Sequence, residues 1–166
     1  AERVPAYLVA SSCSKNFGLY RERTGLAVIA SNTLQQSECI KSRIMECARS
    51  SYTMPPDHGA AIVRTILEDQ ALKEFWLTEV TQMRQRIQGV RSSLVDAMQI
   101  QTGTHQFDFI AQHKGMFSVI GASADQVTRL REQFGVYLVD GGRINLAGLK
   151  ESDVPFLAES LSAVMS

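Results

Sequence analysis

The feature that most constrains the fold is a long amphipathic pattern in the middle of the chain. Apolar residues recur there at alternating steps of four and three, a spacing that keeps them on one stripe of an α-helix. These residues are Leu72, Trp76, Val80, Met83, Ile87, Val90, Leu94 and Met98. The pattern predicts one helix at about residues 70–100, longer than most helices of globular proteins. A helix of this length could join two subdomains of the chain.

Strand-like and helix-like segments alternate before this pattern. The runs AYLVASS (6–12) and GLAVIAS (25–31) predict strands, and residues 32–50 and 60–69 predict helices. Both apolar strands are predicted to be buried, and GLAVIAS is typical of a strand buried on both faces of a sheet.

The same alternation continues after the pattern. Residues 115–121, 136–139 and 143–148 predict short strands, and residues 123–135 and 150–165 predict helices. The helix at 123–135 has a serine as its N-cap and a glycine as its C-cap. Strands and helices that alternate in this way place the chain in the α/β class.

The charge balance excludes some classes of partner. The 166 residues carry 17 basic and 17 acidic side chains, so the net charge is zero. No global basic field would attract nucleic acid or a membrane surface. Apolar runs are only a few residues long, too short to span a bilayer. We therefore expect neither nucleic acid nor a membrane as a partner.

The cysteines indicate the redox environment of the chain, and its first residues bear on whether it is part of a longer protein. Cys13, Cys39 and Cys47 are odd in number and lack CxxC spacing, so no disulfide framework and no metal site is predicted. Reduced thiols are typical of a cytosolic protein. The chain has no initiating methionine and begins almost at once with a strand, which favours a piece of a longer protein.

The stretch SSCSKNFGLYRERTG (11–25) brings a lysine to the end of an apolar strand. An ammonium group there is costly unless it is neutralised or used, and a lysine amine is a nucleophile toward carbonyl groups. Arg23 grips phosphate well through its planar guanidinium, and Ser12 and Ser14 add hydroxyl groups. A carbonyl compound that carries a phosphate would satisfy Lys15 and all three neighbours. A serine–lysine hydrolase pair and an ordinary surface turn remain alternatives.

Two further arginines are candidates for carboxylate binding. In GGRINLAG, Arg143 follows two glycines, which let a ligand approach closely, and a guanidinium can take a carboxylate in a bidentate pair. Arg49 ends a predicted helix, where a cation also complements the helix dipole. A structural salt bridge for Arg143 and a dipole role for Arg49 are the simpler alternatives. Four aromatic residues are predicted to lie in the core: Tyr20, Tyr52, Phe117 and Tyr137.

Five blocks of the sequence occur in a recognisable order: SCSKNFGLYRERTG, ARSSYTMPPDHGA, GMFSVIG, LREQFGVYLV and GRINLAGL. Together they resemble the C-terminal part of the class I aminotransferases of fold type I, specifically the bacterial aspartate/aromatic aminotransferases. The resemblance covers essentially the whole chain. It implies that residues 1–82 are the C-terminal remnant of a large cofactor-binding domain and that residues 83–166 are most of a small α/β domain.

The resemblance also implies a cofactor, pyridoxal 5′-phosphate (PLP). Lys15 would hold it as a Schiff base and would shuttle a proton between the substrate α-carbon and the cofactor. Ser12, Ser14 and Arg23 would hold the cofactor phosphate.

For the substrate, the resemblance implies that Arg143 clamps the α-carboxylate of an amino acid. Arg49 would cross the interface of a homodimer and meet the side-chain carboxylate of a dicarboxylic substrate in the partner's site. The implied reaction transfers an amino group from aspartate or an aromatic amino acid to 2-oxoglutarate, in the cytoplasm. Lyase or decarboxylase chemistry on the same fold is disfavoured, because two arginines suit substrates with two carboxylates.

The resemblance does not extend to the N-terminal half of the family's sequence. That half supplies the aspartate that pairs with the pyridine nitrogen of the cofactor, and without it the electron sink is weak. The alternative hypothesis is therefore a catalytically incomplete fragment that acts only as a folded or dimerising module without PLP.

Overall fold

The computed structural model describes residues 4–165 of the chain. The chain divides into two compact units, the first ending at Thr78 and the second beginning at Glu79. The assignment of these parts to a cofactor-binding domain and a small domain stays a prediction.

The first unit contains a β-hairpin and two helices. Strand β1 (Tyr7–Ser12) pairs antiparallel with β2 (Gly25–Ala30), in a register that sets Tyr7 opposite Ala30 and Ser12 opposite Gly25. Helix α1 (Leu34–Tyr52) begins after Thr33, whose hydroxyl accepts a hydrogen bond from a backbone N–H of the first turn. Helix α2 (His58–Glu68) follows the Pro-Pro turn.

The hairpin is exposed, which contradicts the prediction of buried strands at 6–12 and 25–31. Every residue of β1 is exposed, and only Ile29 and Ala30 of β2 are half-buried. Among the described residues of the first unit, only Gly59 is buried. The pattern is that of strands covered on both faces, but within residues 4–165 this sheet has only two strands, and the contact of α1 with β2 leaves most of the hairpin exposed. The strands were predicted correctly and their burial was not.

Helix α3 (Gln70–Thr102) begins in the first unit and continues through the second. The prediction of a single long helix is confirmed, with bounds close to the expected residues 70–100. Asp69 lies between α2 and α3, and its carboxylate accepts a hydrogen bond of 2.9 Å from the backbone N–H of Leu72. This capping contact separates the two helices at one residue.

The second unit continues with short elements. They are α4 (Phe109–Gln112), β3 (Phe117–Val119), α5 (Ala124–Phe134), β4 (Arg143–Asn145), a 3₁₀ turn (Glu151–Asp153) and α6 (Val154–Met165). Strands β3 and β4 pair antiparallel, with Phe117 opposite Asn145 and Val119 opposite Arg143. The capping box at Ser123 and the left-handed Gly135 that bound α5 confirm both predicted caps.

The predicted strand at 136–139 does not form. Only an isolated bridge between Val139 and Arg143 is present. Gly141 and Gly142 have φ angles of 81° and 68°, so they turn the chain back at once and leave one residue to pair. The short helix α4 was not predicted.

The second unit has a hydrophobic core of its own. It is built from the α3 stripe together with side chains of α4, the β3–β4 region, α5 and α6. Its fully buried large apolar members are Leu94, Met98, Ile110, Leu130, Leu146 and Leu161. Across residues 4–165, no helix combines the length and the apolar character needed to cross a membrane.

Candidate functional site

The loop between β1 and β2, residues 13–24, carries the predicted lysine site. Ser12 is the last residue of β1, and the backbone N–H of Cys13 donates to the Thr24 carbonyl over 3.0 Å, which closes the loop at its base. Ser14, Lys15 and Arg23 all lie within the loop. The structure therefore brings the four predicted cofactor residues to one end of a single hairpin.

The two serines form a tight polar turn beside the lysine. Ser12 Oγ donates to Ser14 Oγ over 2.8 Å, and the Ser14 backbone N–H donates to Ser12 Oγ over 3.1 Å. These bonds orient both hydroxyl groups next to Lys15. The Ser14 hydroxyl hydrogen is therefore free to donate to an anion, and the Ser12 hydroxyl can do so when it turns away from Ser14.

Tyr20 contacts both basic groups of the loop. The Lys15 Nζ lies 4.1 Å from the centroid of the Tyr20 ring, and Arg23 donates to the Tyr20 carbonyl over 3.1 Å. The Tyr20 side chain is 49% exposed, so its predicted place in the core is wrong. A cation over an exposed ring gains only about 0.5–1 kcal/mol, which leaves the Lys15 amine accessible and easily released.

Arg23 has a φ angle of 52°, in the left-handed region that non-glycine residues rarely adopt. Its side chain is exposed and makes one recorded hydrogen bond, to Tyr20, within the described residues. The remaining N–H groups of its guanidinium are available to an incoming anion.

Two helices hold the loop from outside. At the Lys15 end, the indole Nε1–H of Trp76 in α3 donates to the Asn16 carbonyl over 2.8 Å, and the Trp76 ring stacks on Phe17 at 4.4 Å. At the other end, His58 Nδ1 lies 3.0 Å from a Glu22 carboxylate oxygen. A Cβ atom at the buried Gly59 would overlap the Thr24 side chain, so α2 approaches the loop closely.

Sequence reasoning placed Trp76 on the apolar stripe and missed its contact with the loop. The available signal was the indole N–H, because a tryptophan on a packed face needs an acceptor for that group. The acceptor is 60 residues away in the chain.

Arg49 lies in the last turn of α1, and its side chain is exposed. Within residues 4–165, no ion pair is recorded for its guanidinium. Its carbonyl accepts a hydrogen bond of 3.1 Å from the backbone N–H of Thr53, whose φ angle of 66° ends the helix. Tyr52 is 60% exposed, so its predicted place in the core is also wrong.

Arg143 belongs to the second unit, where it is the first residue of β4. Its guanidinium carbon lies 4.8 Å from the centroid of the half-buried Phe117 ring. At Gly142, an added Cβ would lie 2.8 Å from the backbone nitrogen of Ala122, so no side chain fits there. Tyr137 is 79% exposed, which contradicts its predicted place in the core.

Sequence reasoning missed another arginine of the second unit. Arg91 in α3 is buried, and its guanidinium donates to the carbonyls of His113 and Gly115, the second over 2.7 Å. Burial lowers the pKa of Arg91. This clamp holds the segment that leads into β3, and therefore the strand that carries Phe117.

Comparison with known proteins identifies a family whose members this chain resembles. The sequence matches the model of the family described as aminotransferase class I and II over residues 1–161. It is 40% identical over 164 residues to an aromatic-amino-acid aminotransferase of Paracoccus denitrificans, which covers 99% of this chain and 42% of that protein. It is 43% identical over 158 residues to an aspartate aminotransferase of Escherichia coli, with 95% of this chain and 40% of that protein covered.

Solved structures agree with the sequence comparison. An aromatic amino acid aminotransferase with 3-indolebutyric acid matches with a TM-score of 0.92 at 39% identity, over 99% of this chain and 42% of that chain. An aromatic-amino-acid aminotransferase of Burkholderia pseudomallei, covalently bound to pyridoxal phosphate, matches with a TM-score of 0.85 at 37% identity, over 96% and 40% of the two chains. The chain thus spans about two fifths of the length of these relatives.

Proposed function

Because the chain belongs to the class I and II aminotransferase family and has part of the α/β fold of those PLP-dependent enzymes, we propose that it carries the lysine site of an aminotransferase. The reaction is the transfer of an amino group from aspartate or an aromatic amino acid to 2-oxoglutarate, with pyridoxal 5′-phosphate as cofactor. One observation carries the proposal: an accessible lysine amine, two oriented hydroxyl groups and an arginine with free N–H groups occupy one hairpin end.

The residues of this hairpin end fit the cofactor chemically. A phosphate monoester needs a cation and several hydrogen-bond donors, which Arg23, Ser12 and Ser14 supply. An aldehyde needs an amine that is not locked in an ion pair, and the Lys15 amine contacts only the Tyr20 ring among its recorded partners in residues 4–165. When bound, pyridoxal phosphate supplies that aldehyde and a conjugated ring that accepts electrons from the substrate.

Lys15 performs two tasks in this proposal. Its amine would hold the cofactor through the aldehyde carbon, and when free the same amine would take the proton from the substrate α-carbon. Arg23 would hold the phosphate end of the cofactor, which would limit the movement of the aldehyde relative to the amine. That is an orientation effect, which in well-arranged sites accounts for much of the rate gain.

The substrate is held by Arg143 and Arg49. Arg143 binds the α-carboxylate, and its contact with the Phe117 ring keeps the guanidinium plane in a defined place. Arg49 binds the second carboxylate of a dicarboxylic substrate in the site of the partner subunit of a homodimer. The exposure of both side chains supports these roles, as do relatives named for aspartate and for aromatic amino acids. The three unpaired cysteines favour the cytoplasm as location.

A second candidate function is a folded or dimerising module that does not bind the cofactor. It is favoured by the first unit, in which Gly59 is the one buried residue among those described. A hairpin with both apolar faces exposed needs further polypeptide to be covered.

Covalent trapping separates the two candidates. The purified chain is mixed with pyridoxal 5′-phosphate, reduced with borohydride and digested, and the label is mapped by mass spectrometry over the five lysines. We expect the label mainly on Lys15, its loss in Lys15→Arg, and no change in Lys41→Arg. Lys41 is the matched control because its side chain is also exposed, by 59%, and forms an ion pair with a surface glutamate, Glu38. Equal labelling of all five lysines would favour the module without cofactor.

A further inference from the structure

Trp76 makes two contacts with the loop that carries Lys15, and they fall on the two residues that follow the lysine. Its indole N–H donates to the Asn16 carbonyl over 2.8 Å. Its ring stacks on Phe17 with a centroid separation of 4.4 Å and an angle of 10° between the planes. One contact holds the backbone directly after Lys15, and the other holds the next side chain.

The other hydrogen bonds that the described residues show around Asn16 and Phe17 join two residues of the loop itself. The backbone N–H groups of Phe17 and Leu19 donate to the Cys13 carbonyl over 3.3 and 3.4 Å, and that of Tyr20 donates to Gly18 over 3.1 Å. Gly18 has a φ angle of 69°, so the loop turns sharply there. Bonds within a loop shape it but do not fix it to the rest of the unit. At the Lys15 end of the loop Trp76 provides that connection, whereas His58 lies against Glu22 at the other end.

We propose that Trp76 is a positioning residue for Lys15, holding the Asn16 carbonyl and the Phe17 ring so that the amine stays in reach of a phosphate-anchored aldehyde. This inference rests on the proposed function, because it requires that Lys15 reacts. Trp76 does not touch the reacting atoms. It restricts the loop conformations, and a group held in place reacts faster than one that must be ordered for each event.

The reaction that reads out this role is simple. The Lys15 amine condenses with the aldehyde of pyridoxal 5′-phosphate and releases one water, and borohydride then delivers the hydride that makes the carbon–nitrogen bond permanent. The rate of this condensation is measured at Lys15 and at Lys41 in the same sample. Lys41 lies on α1, and within residues 4–165 its one ion pair is with Glu38, so it serves as an internal standard.

Three variants separate the two contacts of Trp76. Trp76→Leu removes both, and Trp76→Phe keeps a ring for Phe17 but removes the N–H donor. The control is Phe75→Leu at the adjacent residue of α3, because Phe75 is 64% exposed and has no recorded ring contact in the described residues.

We expect Trp76→Leu to lower the Lys15 rate about tenfold relative to Lys41, within the roughly hundredfold loss that a misplacement of 1 Å can cause. Trp76→Phe should lie between wild type and Trp76→Leu, and Phe75→Leu should equal wild type. Inorganic phosphate should compete with the reagent equally well in all of them, because Arg23, Ser12 and Ser14 are unchanged. That unchanged competition distinguishes lost positioning from a lost fold.

Two outcomes would overturn the inference. If Trp76→Leu keeps the wild-type ratio of Lys15 to Lys41 label, Trp76 does not position the amine. If it loses both that ratio and the competition by phosphate, Trp76 supports the fold of the whole loop instead. Failure of the proposed function is visible separately, since the wild-type chain would then show no preference for Lys15 before any variant is made.

Discussion

The substitution Leu94→Ala measures how much of the chain's stability lies in the core of the second unit. Leu94 is 0% exposed on α3, and the change deletes three buried carbon atoms. At about 0.8 kcal/mol for each buried carbon group, the lost transfer free energy is about 2.4 kcal/mol. A residual cavity of roughly 40 Å³ adds about 1 kcal/mol. We therefore expect the free energy of unfolding to fall by about 3 kcal/mol, a large part of the 5–15 kcal/mol typical of a domain.

The matched control is Ile100→Ala on the same helix. It also deletes three carbon atoms, but Ile100 is 82% exposed, so the free energy of unfolding should change by no more than about 0.5 kcal/mol. Urea titration followed by far-ultraviolet circular dichroism gives both values, with a common slope fitted to the wild type and the variants. The assignment of the core would be refuted if the two variants differed by less than about 1 kcal/mol, a gap well below the one derived above.

Two further predictions use the same urea titration. One concerns the glycines before Arg143, and the other concerns Arg91. Gly142→Ala should lower the free energy of unfolding by about 2–4 kcal/mol. An alanine there would have to adopt a left-handed φ, and its Cβ would also collide with the Ala122 backbone. Gly141→Ala, with the same sign of φ but open space around it, should cost only about 1–2 kcal/mol, and equal costs would contradict the close approach before Arg143. Arg91→Met should cost about 2–4 kcal/mol, since it removes two charge-assisted hydrogen bonds, and Arg91→Lys should recover part of it. A Met variant as stable as wild type would mean that the desolvation of Arg91 outweighs both bonds.

Much of the candidate site was predictable from the sequence because its residues are close together in the chain. Ser12, Ser14, Lys15 and Arg23 fall within twelve residues, so a hairpin brings them to one end whatever surrounds it. The roles of Arg49 and Arg143 depend on groups far away in the chain, and they remain predictions.

The burial of the aromatic residues was not predictable in the same way. Tyr20, Tyr52 and Tyr137 are apolar enough for a core, yet all three are exposed. Hydrophobic character states only that burial would be favourable, and whether a covering layer exists depends on the rest of the polypeptide. The same reason explains why β1 and β2 were predicted as strands correctly and as buried strands wrongly.

The sequence by itself determined the features that depend on residues close together in the chain. These are the single helix α3, the caps at Ser123 and Gly135, and the polar turn beside Lys15. Periodicity and capping act over a few residues, so they can be read directly. Only the tertiary structure decided the contact of Trp76 with Asn16 and the clamp of Arg91 on the segment before β3. These contacts join residues 60 and 24 positions apart, and such pairs are set by how the elements pack.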